Sequence, residues 1–359
     1  MHEPVVGIFP AACRIQTKAC HSCLRNPFCG LAVPNTIHST FGIESQSNID
    51  NTVKIGAPTV MTNSSDESNT SGSIGRVIVP MGRDATAEEL YLDLFKKCLT
   101  RSIFEHLVYE PITVRTRSLR GKLKALVHNW LRDSRQIEMV RIRPFNHAAR
   151  EEGRDWPLEA ETMIGLRRLD NIEYCVTDVL RQQVPGDLIE TGVWRGGAAI
   201  FMRAILKAYK NTERVVWVAD SFEGLPKPDP ERYPADAGDR HWTASALAVS
   251  LEEVKANFAR YDLLDEQVRF LVGWFRDTLP TSPIRQLAVL RLDGDMYEST
   301  MDSLRNLYPR LSKGGYVIVD DYGAVPGCRA AVDDFRREHK ITATLRQIDW
   351  TGMFWQREQ

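Results

Sequence analysis

The 359-residue sequence has almost no net charge, because 46 lysines and arginines are balanced by 47 aspartates and glutamates. A protein without a strong overall field has no general attraction to nucleic acid or to an anionic membrane, so we expect neither partner. The sequence also lacks any run approaching the roughly 18 to 20 apolar residues that a transmembrane helix needs. No basic segment followed by an apolar core stands at the N-terminus, and we therefore expect no signal peptide.

Cysteine is scarce beyond the first thirty residues. The later part of the chain contains only Cys98, Cys175 and Cys328. Such scattered cysteines are typical of free thiols in a reducing compartment, and we expect the protein to be cytoplasmic. The other four are Cys13, Cys20, Cys23 and Cys29. They could hold zinc, but they lack the second close pair or the downstream histidine pair of a typical zinc site, so a leader without structure is the simpler interpretation.

The first eighty or so residues contain polar stretches without hydrophobic periodicity. Stretches such as 45–52 and 62–73 are poor in residues that form a core, which predicts disorder. Met61 or Met81 could then be the working start of translation. The length allows one large α/β domain with appendages. We divide the chain into a disordered leader (1–80), an N-terminal helical lid segment (81–155) and a main α/β domain (156–359).

Regular structure is expected to begin at Thr86, which is placed to form a capping box with Glu89. Apolar residues at helical spacing follow, and further helices are predicted over 123–131 and 160–181. The basic residues near the second helix are Arg115, Arg117, Arg120, Lys122 and Lys124. A solvated helix face explains these charges more simply than an anionic ligand does.

From residue 187 onward, strand-like and helix-like segments alternate, which indicates a parallel, doubly wound sheet covered by helices. Strands are predicted over 187–190, 215–219, 268–272, 287–290 and 316–319. Helices are predicted over 198–209, 245–261 and 328–338, and segments 342–348 and 352–356 complete the domain. The long loop over 222–242 is a candidate lid, and its His241 is more typical of a surface residue than of a catalytic base.

Two of the predicted strands end in paired aspartates. Asp293 and Asp295 follow one apolar run, and alternation along an extended chain places their carboxylates on the same side. Asp320 and Asp321 follow the next strand. Four carboxylates at one sheet edge repel one another unless a positive charge lies between them, and Mg²⁺ with oxygen ligands would supply it. Alternatively, each aspartate could cap the helix that follows it.

A glycine-rich turn after the first predicted strand indicates a cofactor that contains adenosine. Gly192, Gly196 and Gly197 would let a ligand approach the backbone at a helix N-terminus, and Asp220 could bind a ribose diol. Their order differs from the Gly-x-Gly-x-x-Gly pattern that contacts a pyrophosphate. Glu190 would repel a pyrophosphate but suits the ammonium or sulfonium group of S-adenosylmethionine. Together with the aspartates, this pattern favours a methyltransferase over a dehydrogenase.

Four segments closely resemble the macrocin O-methyltransferase family, whose members methylate sugar hydroxyls in antibiotic biosynthesis. They are ETGVWRGG (190–197), ADSFEGLP (219–226), LDGDMYEST (292–300) and VDDY (319–322). The resemblance extends from about Tyr91 to the C-terminus and leaves the first eighty or so residues unexplained. It implies a class I methyltransferase fold with a Rossmann-like, mostly parallel sheet of seven strands. It also implies Mg²⁺-dependent transfer of a methyl group from S-adenosylmethionine to a small glycoside.

The resemblance implies roles for individual residues as well. Asp293, Asp320 and Asp321 are expected to hold Mg²⁺, and Asp295 is expected to be the general base. The residues implied to line the cofactor pocket are Thr162, Met163, Glu190, Thr191, Gly192, Val193, Trp194, Asp220, Ser221, Gly273 and Trp274. Two alternatives stay open: a catechol-type O-methyltransferase acting on a phenolic diol, and a non-catalytic protein that binds S-adenosylmethionine. Association into a homo-oligomer is open too.

Overall fold

The computed structural model describes residues 85–104, 107–111, 118–155 and 157–358. The predicted leader and its four cysteines lie outside these ranges. Within them, Cys98, Cys175 and Cys328 are all free, as the sequence predicts. No helix in the part of the chain that the structure describes is both long and apolar enough to cross a membrane.

The order of elements alternates between strands and helices from residue 187 onward. The helices are α1 Ala87–Leu99, α2 Leu119–Arg135, α3 His147–Glu151, α4 Leu166–Arg181, α5 Gly197–Ala208, α6 Leu251–Arg260, α7 Phe275–Thr278, α8 Tyr297–Leu307 and α9 Pro326–Glu338. The strands are β1 Leu107–Pro111, β2 Val140–Pro144, β3 Asp187–Thr191, β4 Val216–Asp220, β5 Val268–Val272, β6 Leu287–Leu292, β7 Leu311–Val319, β8 Arg346–Gln347 and β9 Met353–Gln356.

Seven strands form one sheet in the order β5-β4-β3-β6-β7-β9-β8. The five strands from β5 to β7 are parallel, and β9 and β8 pair antiparallel at one edge. This confirms the predicted mostly parallel sheet of a class I methyltransferase. The chain runs from β3 outward to one side and then resumes at β6 on the other side. Ligands of such sheets bind at the carboxyl ends of the strands beside this reversal.

Two hydrophobic clusters cover the two faces of the sheet. Residues of α1, α4, α5 and α6 form one cluster, and residues of α8 and α9 contribute to the other. All six residues of β6 are buried, which explains why its first four residues form a continuous apolar run. Its one charged member, Arg291, is 1% exposed and requires partners inside the protein.

The helix predicted over 160–181 begins later than predicted, at Leu166. Gly165 precedes it, and a Cβ atom there would lie only 2.2 Å from the backbone nitrogen of Gly153. Residues 160–165 therefore leave helical geometry where two loops touch. The helix predicted over 245–261 likewise begins late, at Leu251, where the Ser250 side chain accepts a hydrogen bond from the Glu253 backbone.

The N-terminal region confirms the capping box and adds elements that the sequence did not reveal. Thr86 Oγ1 accepts from the Glu89 backbone N–H, and Glu89 Oε2 accepts from the Thr86 backbone N–H. Helix α1 then packs on α4 and α5. The antiparallel pair β1–β2 was missed, because each strand is short and the residues of β2 are mostly exposed.

Candidate active site

A cavity of about 380 Å³ lies at the carboxyl ends of the parallel strands. Thirteen of the fifteen site residues expected from the sequence line it; the exceptions are Thr191 and Gly273. Thr191 is buried in β3, where its hydroxyl lies 3.2 Å from that of Ser303. Only Gly153 represents the predicted lid segment 81–155 among the lining residues described, so closure by that segment stays a prediction.

The glycine-rich turn after β3 brings two loops into direct contact. Gly192 has φ +84°, and a Cβ atom built on it would lie 1.7 Å from the carbonyl oxygen of Asp293. Gly197 approaches a different segment: its backbone N–H donates to the Glu161 carbonyl over 3.0 Å. These glycines therefore allow the turn to pack against both the aspartate loop and the segment before α4.

The segment that carries Thr162 and Met163 is held by Arg150, which the sequence did not single out. Arg150 is 1% exposed, and its Nη2 donates to the carbonyl oxygens of Met163 and Ile164, each over 2.9 Å. Burial lowers the pKa of Arg150 to about 10, although the nearby Asp155 carboxylate favours the charged form. No local pattern could reveal this role, since the contacts join α3 to a loop thirteen residues later.

Asp220 ties the end of β4 to the glycine-rich turn. Its Oδ2 accepts from the Val193 backbone N–H over 2.7 Å, and its Oδ1 accepts from the Phe222 backbone N–H over 2.8 Å. Burial raises the pKa of Asp220, while these hydrogen bonds act in the opposite direction. The residue lines the cavity as the sequence predicts and also fixes the turn that surrounds it.

Three of the paired aspartates converge. Carboxylate oxygens of Asp293, Asp320 and Asp321 all lie within 4.8 Å of one another, close enough to share one cation. Asp321 Oδ2 is buried and has no hydrogen-bond partner. Burial raises the pKa of Asp321 well above its usual range, and the charges of Asp295 and Asp293 add to this effect. An orphaned oxygen among hard oxygen donors fits a divalent cation such as Mg²⁺.

Two buried arginines already neutralise part of this acidic cluster. Arg291 donates to Glu190, Asp293 and Asp320, and Arg168 pairs with the second oxygen of Asp320. The sequence analysis predicts a positive charge between the aspartates and assigns that charge to a metal ion alone. Neither arginine contacts Asp321 in the described hydrogen bonds and ion pairs. The charge of this carboxylate is therefore the least compensated of the three, and a cation would stabilise it most.

Asp295 lies next to the cluster in a different environment. Burial raises its pKa to about 7, and the neighbouring charge of Asp293 acts in the same direction. Its backbone has φ +57°, a conformation that few residues other than glycine adopt and that concentrates at functional sites. The four aspartates thus separate into three that converge and one beside them.

His241 reaches the same cavity from the long loop after β4. Its Nδ1 lies 2.8 Å from Asp239 Oδ2, and the Asp239 side chain also accepts from the His241 backbone N–H over 2.8 Å. The side chain is 49% exposed, as expected of a loop histidine, yet it lines the cavity. Although burial opposes it, the hydrogen bond to Asp239, followed by the charge of Asp295, leaves the pKa of His241 raised.

The same loop is anchored by Asp236, which sequence reasoning also missed. Asp236 is buried, and its carboxylate accepts from the backbone N–H groups of Tyr297 (2.6 Å) and Glu298 (3.0 Å). It therefore caps the N-terminus of α8 from 61 residues away in sequence. Because the cap comes from a distant loop, no spacing within α8 could indicate it.

A family model described as Macrocin-O-methyltransferase (TylF) matches residues 88–357. Demethyldecarbamoylnovobiocin O-methyltransferase from Streptomyces niveus is 51% identical over 285 residues, which cover 78% of this chain and 98% of that protein. The 8-demethyl-8-(2,3-dimethoxy-alpha-L-rhamnosyl)-tetracenomycin-C 4'-O-methyltransferase from Streptomyces olivaceus is 52% identical over 270 residues, or 75% of this chain and 93% of that protein. Mycinamicin III 3''-O-methyltransferase from Micromonospora griseorubida is 46% identical over 276 residues, or 76% and 98%.

A solved structure agrees with this likeness. The structure of the O-methyltransferase NovP aligns with a TM-score of 0.64 at 49% identity, covering 76% of this chain and all of that chain. The aligned share leaves out about a quarter of the chain, and the family match begins only at residue 88.

Proposed function

The chain belongs to the macrocin-O-methyltransferase family, and on this premise we propose that it transfers a methyl group from S-adenosylmethionine to a hydroxyl of a deoxysugar on a glycosylated secondary metabolite, with Mg²⁺ as metal cofactor. That it is an O-methyltransferase follows from the match over residues 88–357 and from relatives near 50% identity. The observation that carries the finer proposal is the cavity in which three converging aspartates lie beside a glycine-rich turn.

The walls of the cavity support a donor pocket on the β3 and β4 side. Glu190 Oε2 is buried without a partner, and a methionine ammonium group would satisfy it. Asp220 offers carboxylate oxygens near the position that a ribose occupies in related folds. The residues that we propose for this pocket are Thr162, Met163, Glu190, Thr191, Gly192, Val193, Trp194, Asp220, Ser221, Gly273 and Trp274.

Asp293, Asp320 and Asp321 would hold the metal on the β6 and β7 side of the cavity. A divalent cation at such a position lowers the pKa of a hydroxyl that binds to it. Arg291 and Arg168 hold two of the three carboxylates in place, so the site is largely formed before any ligand enters.

Asp295 is the residue that we propose as general base. Without a bound cation, burial and the charge of Asp293 hold its pKa at about 7, close to the range in which a carboxylate can accept a proton and later release it near neutral pH. It stands outside the group of three converging aspartates, which leaves its oxygens for the acceptor hydroxyl. The residues of this chain would thus align the acceptor oxygen with the donor methyl group and remove its proton.

The acceptor would lie on the remaining walls of the cavity. Phe275, Trp350 and Val325 contribute apolar surface there, and Glu298 and Asp302 contribute carboxylates that could accept hydrogen bonds from sugar hydroxyls. The printed names of the relatives support a glycoside as acceptor, because they refer to a rhamnosyl tetracenomycin, a novobiocin precursor and a mycinamicin.

The three unpaired cysteines among the described residues support a cytoplasmic location.

Mass spectrometry tests the proposal directly. The protein is incubated with S-adenosylmethionine and Mg²⁺ against a panel of antibiotic glycosides, their aglycones and simple catechols. We expect glycosides alone to gain the mass of one methyl group, and we expect EDTA to abolish the gain. Methylated catechols with unchanged glycosides would indicate a catechol-type enzyme. Calorimetric binding of S-adenosylmethionine without any methylated product would indicate a non-catalytic protein.

A further inference from the structure

Arg291 stands between the two halves of the cavity, and we propose that it is a positioning residue shared by the cofactor pocket and the metal centre. The proposal rests on the function proposed above. It assigns a role to a residue that touches neither the methyl group nor the acceptor. Arg291 acts by fixing the carboxylates that hold the two ligands.

The contacts of Arg291 reach both halves at once. Its Nη1 lies 2.5 Å from Glu190 Oε1 and 2.8 Å from Asp293 Oδ2, and its Nη2 lies 2.5 Å from Asp320 Oδ1. Glu190 belongs to the proposed donor pocket, whereas the two aspartates belong to the proposed metal centre. One guanidinium group therefore sets the distance between these carboxylates.

The sheet explains how one side chain can do this. Arg291 on β6 is in register with Glu190 on β3 and with Ile318 on β7. The guanidinium reaches Asp320, the first residue after β7, as well as Asp293 two residues further along its own chain. Three neighbouring strands thus deliver three carboxylates to one buried cation.

Arg291 leaves one oxygen of Glu190 available for a ligand. Glu190 Oε1 accepts from Arg291, whereas Glu190 Oε2 is buried and has no partner among the described residues. Asp321, which Arg291 does not contact, gives the metal group a further buried oxygen without a partner. Arg291 therefore orients Glu190 without occupying both of its oxygens. Arg168 differs, because its described carboxylate contacts are Asp320 and Asp349 and none lies in the donor pocket.

Lysine could not replace this arginine. A guanidinium is a planar fork whose two terminal nitrogens can bind different carboxylates in fixed directions, whereas an ammonium is a compact point charge on a flexible stem. Arg291→Lys keeps the charge of the buried cluster but loses the fork. The variant consequently tests positioning separately from electrostatic neutralisation.

The experiment measures the affinity for each ligand in the absence of the other. S-Adenosylhomocysteine is titrated by calorimetry in EDTA, and Mn²⁺ is titrated by electron paramagnetic resonance without cofactor. We expect Arg291→Lys to weaken both affinities by about tenfold or more, the size typical of lost contacts to metal ligands.

The matched control is Arg203→Lys. Arg203 is also buried and pairs with both oxygens of Asp265, but it lies outside the cavity. The control should change thermal stability and leave both affinities within about twofold of wild type.

A second variant covers the case in which Arg291→Lys fails to fold. Glu190→Gln weakens the ion pair between Glu190 in the donor pocket and Arg291, and it leaves every proposed metal ligand intact. We expect its Mn²⁺ affinity to fall by about threefold or more, because the freed guanidinium competes for Asp293 and Asp320.

The outcomes separate the inference from the function on which it rests. Loss of only one affinity in Arg291→Lys, tighter Mn²⁺ binding, or unchanged Mn²⁺ affinity in Glu190→Gln would overturn the shared role. A wild-type protein that binds neither S-adenosylhomocysteine nor Mn²⁺ would instead overturn the proposed function.

Discussion

Asp295 and Asp321 carry the same side chain in one cavity, but their surroundings give them different chemistry. Asp321 belongs to the group of three convergent carboxylates and has a buried oxygen without a partner. Asp295 lies beside that group with a pKa raised to about 7. The difference supports the proposed roles of Asp321 as metal ligand and of Asp295 as proton acceptor, and substitution by asparagine tests them.

Asp295→Asn keeps shape and polarity but cannot accept a proton. We expect kcat to fall by about 10²–10⁴-fold with little change in KM, and we expect no recovery when Mg²⁺ is raised. Asp321→Asn removes a charge from the proposed metal site, so its activity should recover in part as Mg²⁺ increases. Steady-state kinetics over a range of Mg²⁺ concentrations check both. Recovery of Asp295→Asn by metal would identify Asp295 as a ligand and would leave His241 as the next base to test.

Asp302 gives a prediction on pH and stability. Burial raises the pKa of Asp302 to about 6, well above the usual range of an aspartate, and the charge of Glu298 acts in the same direction. The folded protein therefore holds a proton that the unfolded chain releases. The resulting stabilisation is complete below the unfolded pKa and is lost as pH rises through about 6.

We consequently expect Asp302→Asn to have a higher thermal midpoint than wild type at about pH 7.5, with a difference that shrinks toward about pH 4. Thermal unfolding of both proteins over this range measures it. A constant difference at all pH values would mean that Asp302 does not titrate in this window.

Arg168 and Asp236, which sequence reasoning missed, share one property: their partners are remote in the chain. Arg168 pairs with Asp320 across 152 positions, and Asp236 bonds to Tyr297 across 61. Asp293 and Asp320 were predictable, because each directly follows an apolar strand. A lone arginine or a loop aspartate has no such neighbouring pattern, and only the folded chain shows what it contacts.

At the scale of elements, the turn after β3 has the most restricted geometry of the site. Gly192 and Gly238 have nearly equal φ angles, +84° and +85°. A Cβ atom at Gly192 would lie 1.7 Å from the Asp293 carbonyl oxygen, whereas one at Gly238 would meet nothing within 4 Å. The two positions therefore separate steric clash from backbone strain.

Gly238→Ala should cost about 1 kcal/mol in the free energy of unfolding, which is the strain of a left-handed residue. Gly192→Ala should cost about 3 kcal/mol or more, because the new methyl group must displace the aspartate loop as well. Urea unfolding measures both values, and Mn²⁺ affinity should fall in Gly192→Ala only. Equal costs for the two variants would argue against close packing of the turn on the aspartate loop.

Helices and strands with a clear hydrophobic periodicity or a capping residue could be predicted from the sequence. Their first and last residues depend on tertiary contacts that the sequence does not show. The capping box at Thr86 places the start of α1 correctly. The start of α4 was wrong, because Arg150 and Gly153 hold residues 163–165 in another conformation. Arg150 and Gly153 both precede α4 in the chain, and they affect its start only through tertiary packing.

At the scale of the whole molecule, the methyltransferase fold is confirmed, and the division into a leader, a lid segment and a main domain stays a prediction. The family match begins at residue 88, and the polar stretches 45–52 and 62–73 support the prediction that the first eighty residues are not needed for the fold. We expect a chain that starts at Met81 to keep its thermal midpoint and its affinity for S-adenosylhomocysteine. Differential scanning calorimetry and titration calorimetry test this. A midpoint lower by several degrees, or stoichiometric zinc in the full-length protein, would contradict it.

The anchoring of the long loop has a consequence for how acceptor range can diverge. Asp236 fixes one end of residues 237–249 to the N-terminus of α8, and Ser250 fixes the other end at the start of α6. His241 and Leu247, which line the cavity, lie between these two points. We therefore expect mutation within this segment to alter the surface offered to an incoming molecule, while Asp293, Asp320 and Asp321 keep their positions.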